Sequence, residues 1–221
     1  MRIGFSSLDG EHRLELRARG GRVALLDLRL AEGSLPVEEP LARRRGLELL
    51  SLLTIRWLAL QDPRGRFSRE RPRLPGQRFP GLGLSKPVVL RLLHWARAWG
   101  KDGLVNAPEY YHNAVFYSAI FRFVSPARQG RFEALRRDLA RLSVARASAA
   151  VDAGRVVASP GDTPVVWDPG EMLTPLTAGV EAYFASREYA EAVAAAREAV
   201  AYRFSPPQAS QGHSSRSSRK L

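Results

Sequence analysis

The stretch 74–126 constrains the fold of this chain more than any other part of it. It reads, in order, as a loop rich in glycine and proline, an amphipathic helix, a short apolar strand, a second helical segment and another short strand. A loop that leads into the N-terminus of a helix commonly holds a phosphate, because unpaired backbone N–H groups and the positive end of the helix dipole converge there. We therefore expect a ligand site at this loop, with the rest of the chain supporting it.

The helix that follows the loop is predicted over 86–99. Ser85 is a suitable N-cap, Pro87 is tolerated in the first turn, and Gly100 is a typical residue at a helix end. The apolar residues that recur at helical spacing, and that we expect to be buried, are Val88, Leu92, Trp95 and Trp99. The later elements of the stretch are a strand at 103–107, a helix around 112–120 and an extended segment at 121–124.

The N-terminal part of the chain has the alternation typical of antiparallel strands. Residues 12–18 alternate between polar and apolar, the glycine pair at 20–21 predicts a hairpin turn, and a second strand is predicted over 23–30. A polar loop bounded by prolines is predicted at 31–40. The segment 43–60 has almost no polar face, and we therefore predict a buried helix there.

Helices dominate the predicted C-terminal part. A long helix is predicted over 130–154, followed by a hairpin around the PGDTP turn at 160–164. An alanine-rich helix is predicted over 188–202, with Ser186 as its N-cap. The segment 205–221 has no apolar periodicity, so we expect a disordered basic tail.

These elements predict an α/β (α+β) fold with a mixed, mostly antiparallel central sheet, flanking helices and a helical C-terminal extension. The 221 residues are enough for one domain with a full core. We expect 1–130 to form the core, 131–204 to form a helical extension with a short hairpin packed on that core, and 205–221 to form the tail.

The chain contains no cysteine and only four histidines. A disulfide framework, a thiolate metal site and a catalytic cysteine are therefore excluded. The histidines form neither an H-E-x-x-H motif nor a closely spaced ligand cluster, and the sequence has no G-x-S-x-G motif. We therefore expect neither a catalytic metal nor a serine triad.

The net charge of +12 suggests an anionic partner without naming it. Of the 34 basic residues only Lys86, Lys101 and Lys220 are lysines, and so strong a preference for arginine is typical of a coding bias. We therefore favour a solvated basic surface. A non-catalytic binding module for nucleic acid or a protein partner stays open as an alternative, because the arginines of 64–78 are interleaved with aromatic residues.

The sequence favours a cytoplasmic protein without a membrane partner. Its first residues lack the apolar segment of a secretory signal. The most apolar run, 47–60, is too short to span a bilayer and carries Glu48 and Arg56.

The loop carries Arg78, Gly81 and Gly83 in the spacing R-x-x-G-x-G, and the segment 112–117 reads HNAVFY. In these motifs, and in the order of its elements, the stretch 74–126 resembles the GNAT superfamily of acyl-CoA N-acyltransferases. That family has an (R/Q)-x-x-G-x-(G/A) loop whose backbone N–H groups bind the pyrophosphate of CoA. A helix, a strand and a segment rich in Asn, Ala and Tyr follow that loop.

The resemblance implies a GNAT-like fold, acetyl-CoA or another acyl-CoA as co-substrate, and direct transfer of the acyl group to an unknown amine. The residues that it assigns to acyl-CoA binding are Arg78, Gly81, Leu82, Gly83 and Asn113. It assigns Tyr117 as the acid that protonates the leaving thiolate, and either Glu109 or His112 as the base. Each of these three also has a structural interpretation: a core tyrosine, a solvated loop carboxylate, and a core or capping histidine.

Overall fold

A seven-stranded mixed sheet forms the centre of the computed structural model, which describes residues 1–205. In chain order the strands are β1 (Arg2–Leu8), β2 (Glu11–Arg17), β3 (Ala24–Pro36), β4 (Leu49–Leu60), β5 (Gly103–Asn106), β6 (Arg122–Phe123), β7 (Val156–Ser159), β8 (Thr163–Pro164), β9 (Met172–Pro175) and β10 (Ala201–Phe204). The helices are α1 (Pro40–Arg44), α2 (Ser85–Ala98), α3 (Tyr111–Tyr117), α4 (Pro126–Asp138), α5 (Val144–Asp152), α6 (Ala178–Phe184) and α7 (Arg187–Glu198).

The strands of the main sheet lie in the order β1-β2-β3-β4-β5-β9-β6, and a small second sheet has the order β10-β7-β8. Within the described residues, every pairing in the main sheet is antiparallel except that of β4 with β5, which is parallel. A parallel pair needs a long crossover connection, and the segment that contains α2 supplies it. The prediction of an α/β fold with a mixed, mostly antiparallel sheet and helices is confirmed.

The main sheet separates two apolar cores. The first contains Leu53 of β4 and side chains from α2, α3, α4 and α5. The second contains Leu52 of β4 and side chains from α1, α6 and α7. Strand β9 lies in the segment 131–204 and pairs with both β5 and β6, so this segment completes the sheet as well as adding helices.

The predicted buried helix at 43–60 is wrong. Helix α1 ends at Arg44, and Leu49–Leu60 form β4. Strand β4 lies in the middle of the sheet, and its side chains alternate between the two cores, with Leu52 in one and Leu53 in the other. A strand buried on both faces is apolar at nearly every position, so its sequence lacks the alternation that distinguishes a strand from a buried helix.

The long helix predicted over 130–154 is also wrong, because two helices, α4 and α5, occupy this range. The Oγ atom of Ser143 accepts the backbone N–H of Arg146 and caps α5. Serine offers this bond at an N-cap and competes with helical backbone bonds elsewhere. Leu139 and Leu142 keep the helical spacing across the break and still contribute to the first core, so the periodicity alone did not reveal it.

The predicted ends of the other helices and strands differ less from the observed ones. Strand β3 continues to Pro36 by pairing with β4, so the predicted loop at 31–40 is partly a strand. Helix α7 begins after Ser186, as predicted, but ends at Glu198, and Ala201–Phe204 pair with β7 as β10. The N-terminal strands, β5, α3 and β6 lie where they were predicted. The predicted disordered tail lies, from residue 206 onward, outside the described residues.

Helix α2 lies within one residue of its predicted bounds, but its buried face differs. The side chains that it buries are Val89, Leu92, Leu93 and Ala96, which is the broad stripe of a helix packed on a sheet. Trp99 is exposed instead, with its ring centroid 5.6 Å from that of His12 on β2. The predicted stripe and the stripe that is buried are both apolar in sequence. The packing of α2 on the sheet therefore decides which of the two is buried.

We predict that Gly130→Ala lowers the free energy of unfolding by about 1–3 kcal/mol, the usual cost of overpacking. A Cβ atom on Gly130 would lie 2.3 Å from the carbonyl oxygen of Val193 and 2.8 Å from the backbone nitrogen of Arg197. The backbone of α7 cannot move away without shifting the whole helix. Urea unfolding measures the effect. Gly33→Ala is the matched control, because no atom lies within 4 Å of its Cβ position. Equal stability of the two variants would contradict the close approach of α4 and α7.

Candidate functional site

Strands β4 and β5 end at different heights in the described sheet. Strand β5 ends at Asn106, opposite Ile55, whereas β4 continues to Leu60. A bulge at Arg56 interrupts the register of β4 with β3, and such bulges bend and twist a strand. Beyond Ile55 the strand β4 no longer pairs with β5, and the carboxyl ends of parallel strands are where open α/β sheets commonly bind ligands.

Asn106 places an unsatisfied amide at this point. Its side chain is 4% exposed, and neither its Nδ2 nor its Oδ1 atom has a hydrogen-bond partner. Leaving a buried polar group unpaired costs about 1–3 kcal/mol, so each such group calls for an explanation. Sequence reasoning did not single out Asn106. The available signal was an amide at the end of an otherwise apolar strand.

The loop 61–84 leaves the end of β4 and returns to it. Gln61 and Gly81 form an isolated antiparallel bridge. The N–H of Asp62 donates to the carbonyl oxygen of Pro80 over 2.8 Å, and the N–H of Leu82 donates to that of Leu60 over 3.2 Å. Of the predicted phosphate-binding amides, that of Leu82 is therefore already used by the fold.

The amides on either side of Leu82 are free. Among residues 1–205, several N–H groups just before α2 and in its first turn have no acceptor. They are those of Gly81, Gly83, Leu84, Ser85 and Lys86. Leu84 occupies the N-cap position, and its side chain cannot supply a capping oxygen. Free amides at a helix N-terminus attract anions through their N–H groups and the helix dipole.

Arginines surround this loop and are exposed. The Nη2 of Arg71 donates to the carbonyl oxygen of Gly81 over 2.6 Å, which orients the peptide next to the free amides. The guanidinium of Arg78 lies over the ring of Phe79, 5.3 Å from its centroid. Arg69 and Arg71 also line a cavity of about 390 Å³ between the loop, Phe116 of α3 and the start of α5. These groups favour a negatively charged ligand.

The loop packs on α3 through Tyr110. Gly76 has a φ of 72°, and a Cβ there would lie 2.5 Å from the Tyr110 ring, so only glycine permits this contact. The ring of Tyr110 stacks on that of His112, with 5.5 Å between centroids. The loop and the beginning of α3 therefore form one packed unit.

His112 is buried, and its Nδ1 atom lies 2.8 Å from the Oγ of Ser148 on α5. Burial lowers the pKa of His112 from 6.5 to about 4, and Asp152 opposes this only weakly. His112 is therefore neutral at neutral pH. It holds α3 against α5, and the lowered pKa makes its imidazole a weaker base than an exposed histidine.

The other two predicted catalytic residues lie at opposite ends of α3. Glu109 is exposed just before the helix, whereas Tyr117 is its last residue and packs edge-on against Phe121, with 5.7 Å between the ring centroids. Burial raises the pKa of Tyr117. Asn113 and Tyr117 are four residues apart and so share one face of α3.

The described residues carry no helix long and apolar enough to cross a membrane. Nor do they bring together three or more His, Asp or Glu side chains in a position to hold a metal ion.

We predict that the free energy of unfolding falls as the pH falls from about 6.5 to about 4, the interval between the unfolded and folded pKa values of His112. In this interval the unfolded chain takes up a proton that the folded chain does not, so protonation favours unfolding. His112→Asn removes this titration and should flatten the curve of thermal midpoint against pH. His94→Asn, at an exposed histidine of α2, is the control. A curve for His112→Asn as steep as that of the unaltered chain would show that His112 does not carry the effect.

Comparison with known proteins assigns no family to the chain. No family model, no curated protein and no solved structure matches it.

Proposed function

We propose that this protein binds acyl-CoA on a GNAT-like fold and transfers the acyl group to an amine. The observation that carries the proposal is the set of free amides in the loop before α2 and in its first turn, near the carboxyl end of β4. The N–H groups of Gly81 and Gly83 belong to the R-x-x-G-x-G loop, so the sequence motif and the free donors coincide. Acyl-CoA provides a pyrophosphate for such donors.

The charges around the loop support an anionic co-substrate. Arg69, Arg71 and Arg78 are exposed on the loop, and Lys86 lies in the first turn of α2. Arginine pairs with phosphate oxygens through two parallel N–H bonds. Pro80 lacks an N–H group, and that of Leu82 is occupied, so the donors of this site are the remaining amides and these side chains.

The transfer itself requires an acid and a base. The amine nitrogen attacks the thioester carbonyl carbon, the C–N bond forms and the C–S bond breaks. The nitrogen releases a proton to a base, and the leaving thiolate takes one from an acid. We assign Tyr117 as the acid from the resemblance; burial raises the pKa of its phenol, which is therefore protonated at neutral pH. Glu109 and the neutral His112 are the alternatives for the base.

We predict that acetyl-CoA raises the thermal midpoint of the full chain and that Gly81→Glu abolishes this rise. Ligand at a hundred times its dissociation constant adds about 2.7 kcal/mol, which corresponds to roughly 5–10 °C for a chain of this size. A Cβ on Gly81 would approach nothing closer than 3.6 Å, so the substitution adds a negative charge without a clash. Gly33→Glu, at an exposed glycine of β3, places the same charge elsewhere and should bind normally.

Salt concentration separates this function from the alternative of a non-catalytic module that binds nucleic acid through the exposed arginines of the loop. Binding to a nucleic-acid backbone weakens linearly on a plot of log affinity against log salt concentration. An equal rise in midpoint with salt-matched ATP, or unchanged acetyl-CoA affinity in Gly81→Glu, would contradict the acyl-CoA site. A steep salt dependence with an oligonucleotide would then favour the alternative.

A second prediction concerns the acid. Tyr117→Phe should lower the rate of CoA release in the presence of an amine by about 100-fold, the lower range for loss of a general acid. Affinity for acetyl-CoA should change much less, since the ring and its packing remain. Tyr202→Phe, a partly buried tyrosine of β10, controls for loss of a phenol. Equal turnover of Tyr117→Phe and the unaltered chain would remove Tyr117 from the mechanism.

A further inference from the structure

A second cavity, of about 240 Å³, lies beside Tyr110 and shares no lining residue with the arginine-lined cavity. The end of α5, the residues before α3 and the strand region around Trp167 surround it. A cavity of this volume has room for a small organic group.

The charge of this cavity is opposite to that of the chain as a whole. Two carboxylates, those of Glu109 and Asp152, line it, and no arginine or lysine does. Within residues 1–205 neither carboxylate forms an ion pair. In a chain of net charge +12, two carboxylates without an ion pair at one cavity differ in sign from the charge of the whole chain.

The two carboxylates act on the same part of the wall. Burial raises the pKa of Tyr110, and the charges of Glu109 and Asp152 and a hydrogen bond with Glu109 raise it further. Asp152 is the last residue of α5, so the negative end of this helix dipole adds to the same potential.

Aromatic side chains form much of the remaining wall. Tyr110, Tyr111 and Trp167 all line the cavity. The Nε1–H of Trp167 donates to the carbonyl oxygen of Pro108 over 2.9 Å, and its ring lies edge-on to Tyr111, with 5.8 Å between centroids. The indole is therefore held in place. Aromatic rings beside carboxylates form an environment that binds organic cations, through charge and through the ring quadrupole.

We propose that this cavity binds the ammonium group of a small primary amine with an apolar body. The carboxylates of Glu109 and Asp152 attract the charge, and the aromatic wall packs against the body. A neutral molecule of the same shape lacks the first of these interactions and binds more weakly.

In the proposed acyl transfer this cavity is the site of the acceptor amine. This assignment rests on the proposed function, but the binding of an amine to the cavity does not depend on it. Tyr110 packs on the loop that carries the acyl-CoA motif, so the cavity adjoins that loop. The balanced reaction consumes an alkylammonium ion and an acyl-CoA, and it yields an N-alkyl amide, CoA with its thiol protonated, and one released proton. Glu109 lines the cavity and is positioned to take a proton from the ammonium group.

The test uses the full chain labelled with ¹⁵N and titrated with benzylamine, with benzyl alcohol as the neutral probe of the same size. We expect benzylamine to shift the indole N–H resonance of Trp167, identified by its loss in Trp167→Phe. In the double variant Glu109→Gln, Asp152→Asn we expect affinity to fall about tenfold, as for the loss of two partly exposed charge pairs. Glu181→Gln, an exposed carboxylate on α6, should bind benzylamine like the unaltered chain.

Equal affinity for benzyl alcohol, unchanged affinity in the double variant, or no shift at Trp167 would each overturn the proposal. The experiment contains no acyl-CoA, so its result is separate from that of the acetyl-CoA titration. Amine binding without acetyl-CoA binding would leave the cavity assignment standing and remove the acyltransferase. Acetyl-CoA binding without amine binding would do the reverse.

Discussion

The parallel pairing of β4 with β5 is the constraint on which the rest of the structure depends. Antiparallel neighbours can be joined by short turns, but a parallel pair requires the chain to cross back over the sheet. The loop 61–84 and α2 make that crossing. The start of α2 consequently lies near the carboxyl ends of both strands, where its free amides are available to a ligand, and Asn106 at the end of β5 is buried with its amide unpaired.

Tyr110 links this crossing to the helices that follow. Its ring lies against Gly76 of the loop on one side and stacks on His112 on the other, and His112 bonds Ser148 of α5. The conformation of the loop is therefore coupled to the packing of α3 on α5. A disturbance at any of these contacts should reach the cavity that Tyr110 lines and the loop that lines the other cavity.

Helix α5 lies between two cavities of opposite charge. Its N-terminal residues line the cavity that contains Arg69 and Arg71, and its C-terminal residues line the one that contains Glu109 and Asp152. The helix dipole has the same sense as these side chains, positive at the first cavity and negative at the second. In a reaction between an anionic co-substrate and a cationic acceptor, the positive end of α5 would attract the first and the negative end the second.

The sequence by itself determined the elements whose signals are local. Alternation predicted the N-terminal strands, apolar spacing and Gly100 predicted α2, and Ser186 predicted the start of α7, because these patterns involve residues within a few positions of one another. The predicted cap of α2 was wrong, since Leu84 and not Ser85 occupies the N-cap position. Only the tertiary structure decided that 49–60 is a strand, because burial on both faces removes the alternation that would have shown it. It also decided that the Leu82 amide is occupied, that Asn106 is unpaired, and that Glu109 and Asp152 line one cavity. Each of these depends on contacts between residues far apart in the chain, which local periodicity does not record.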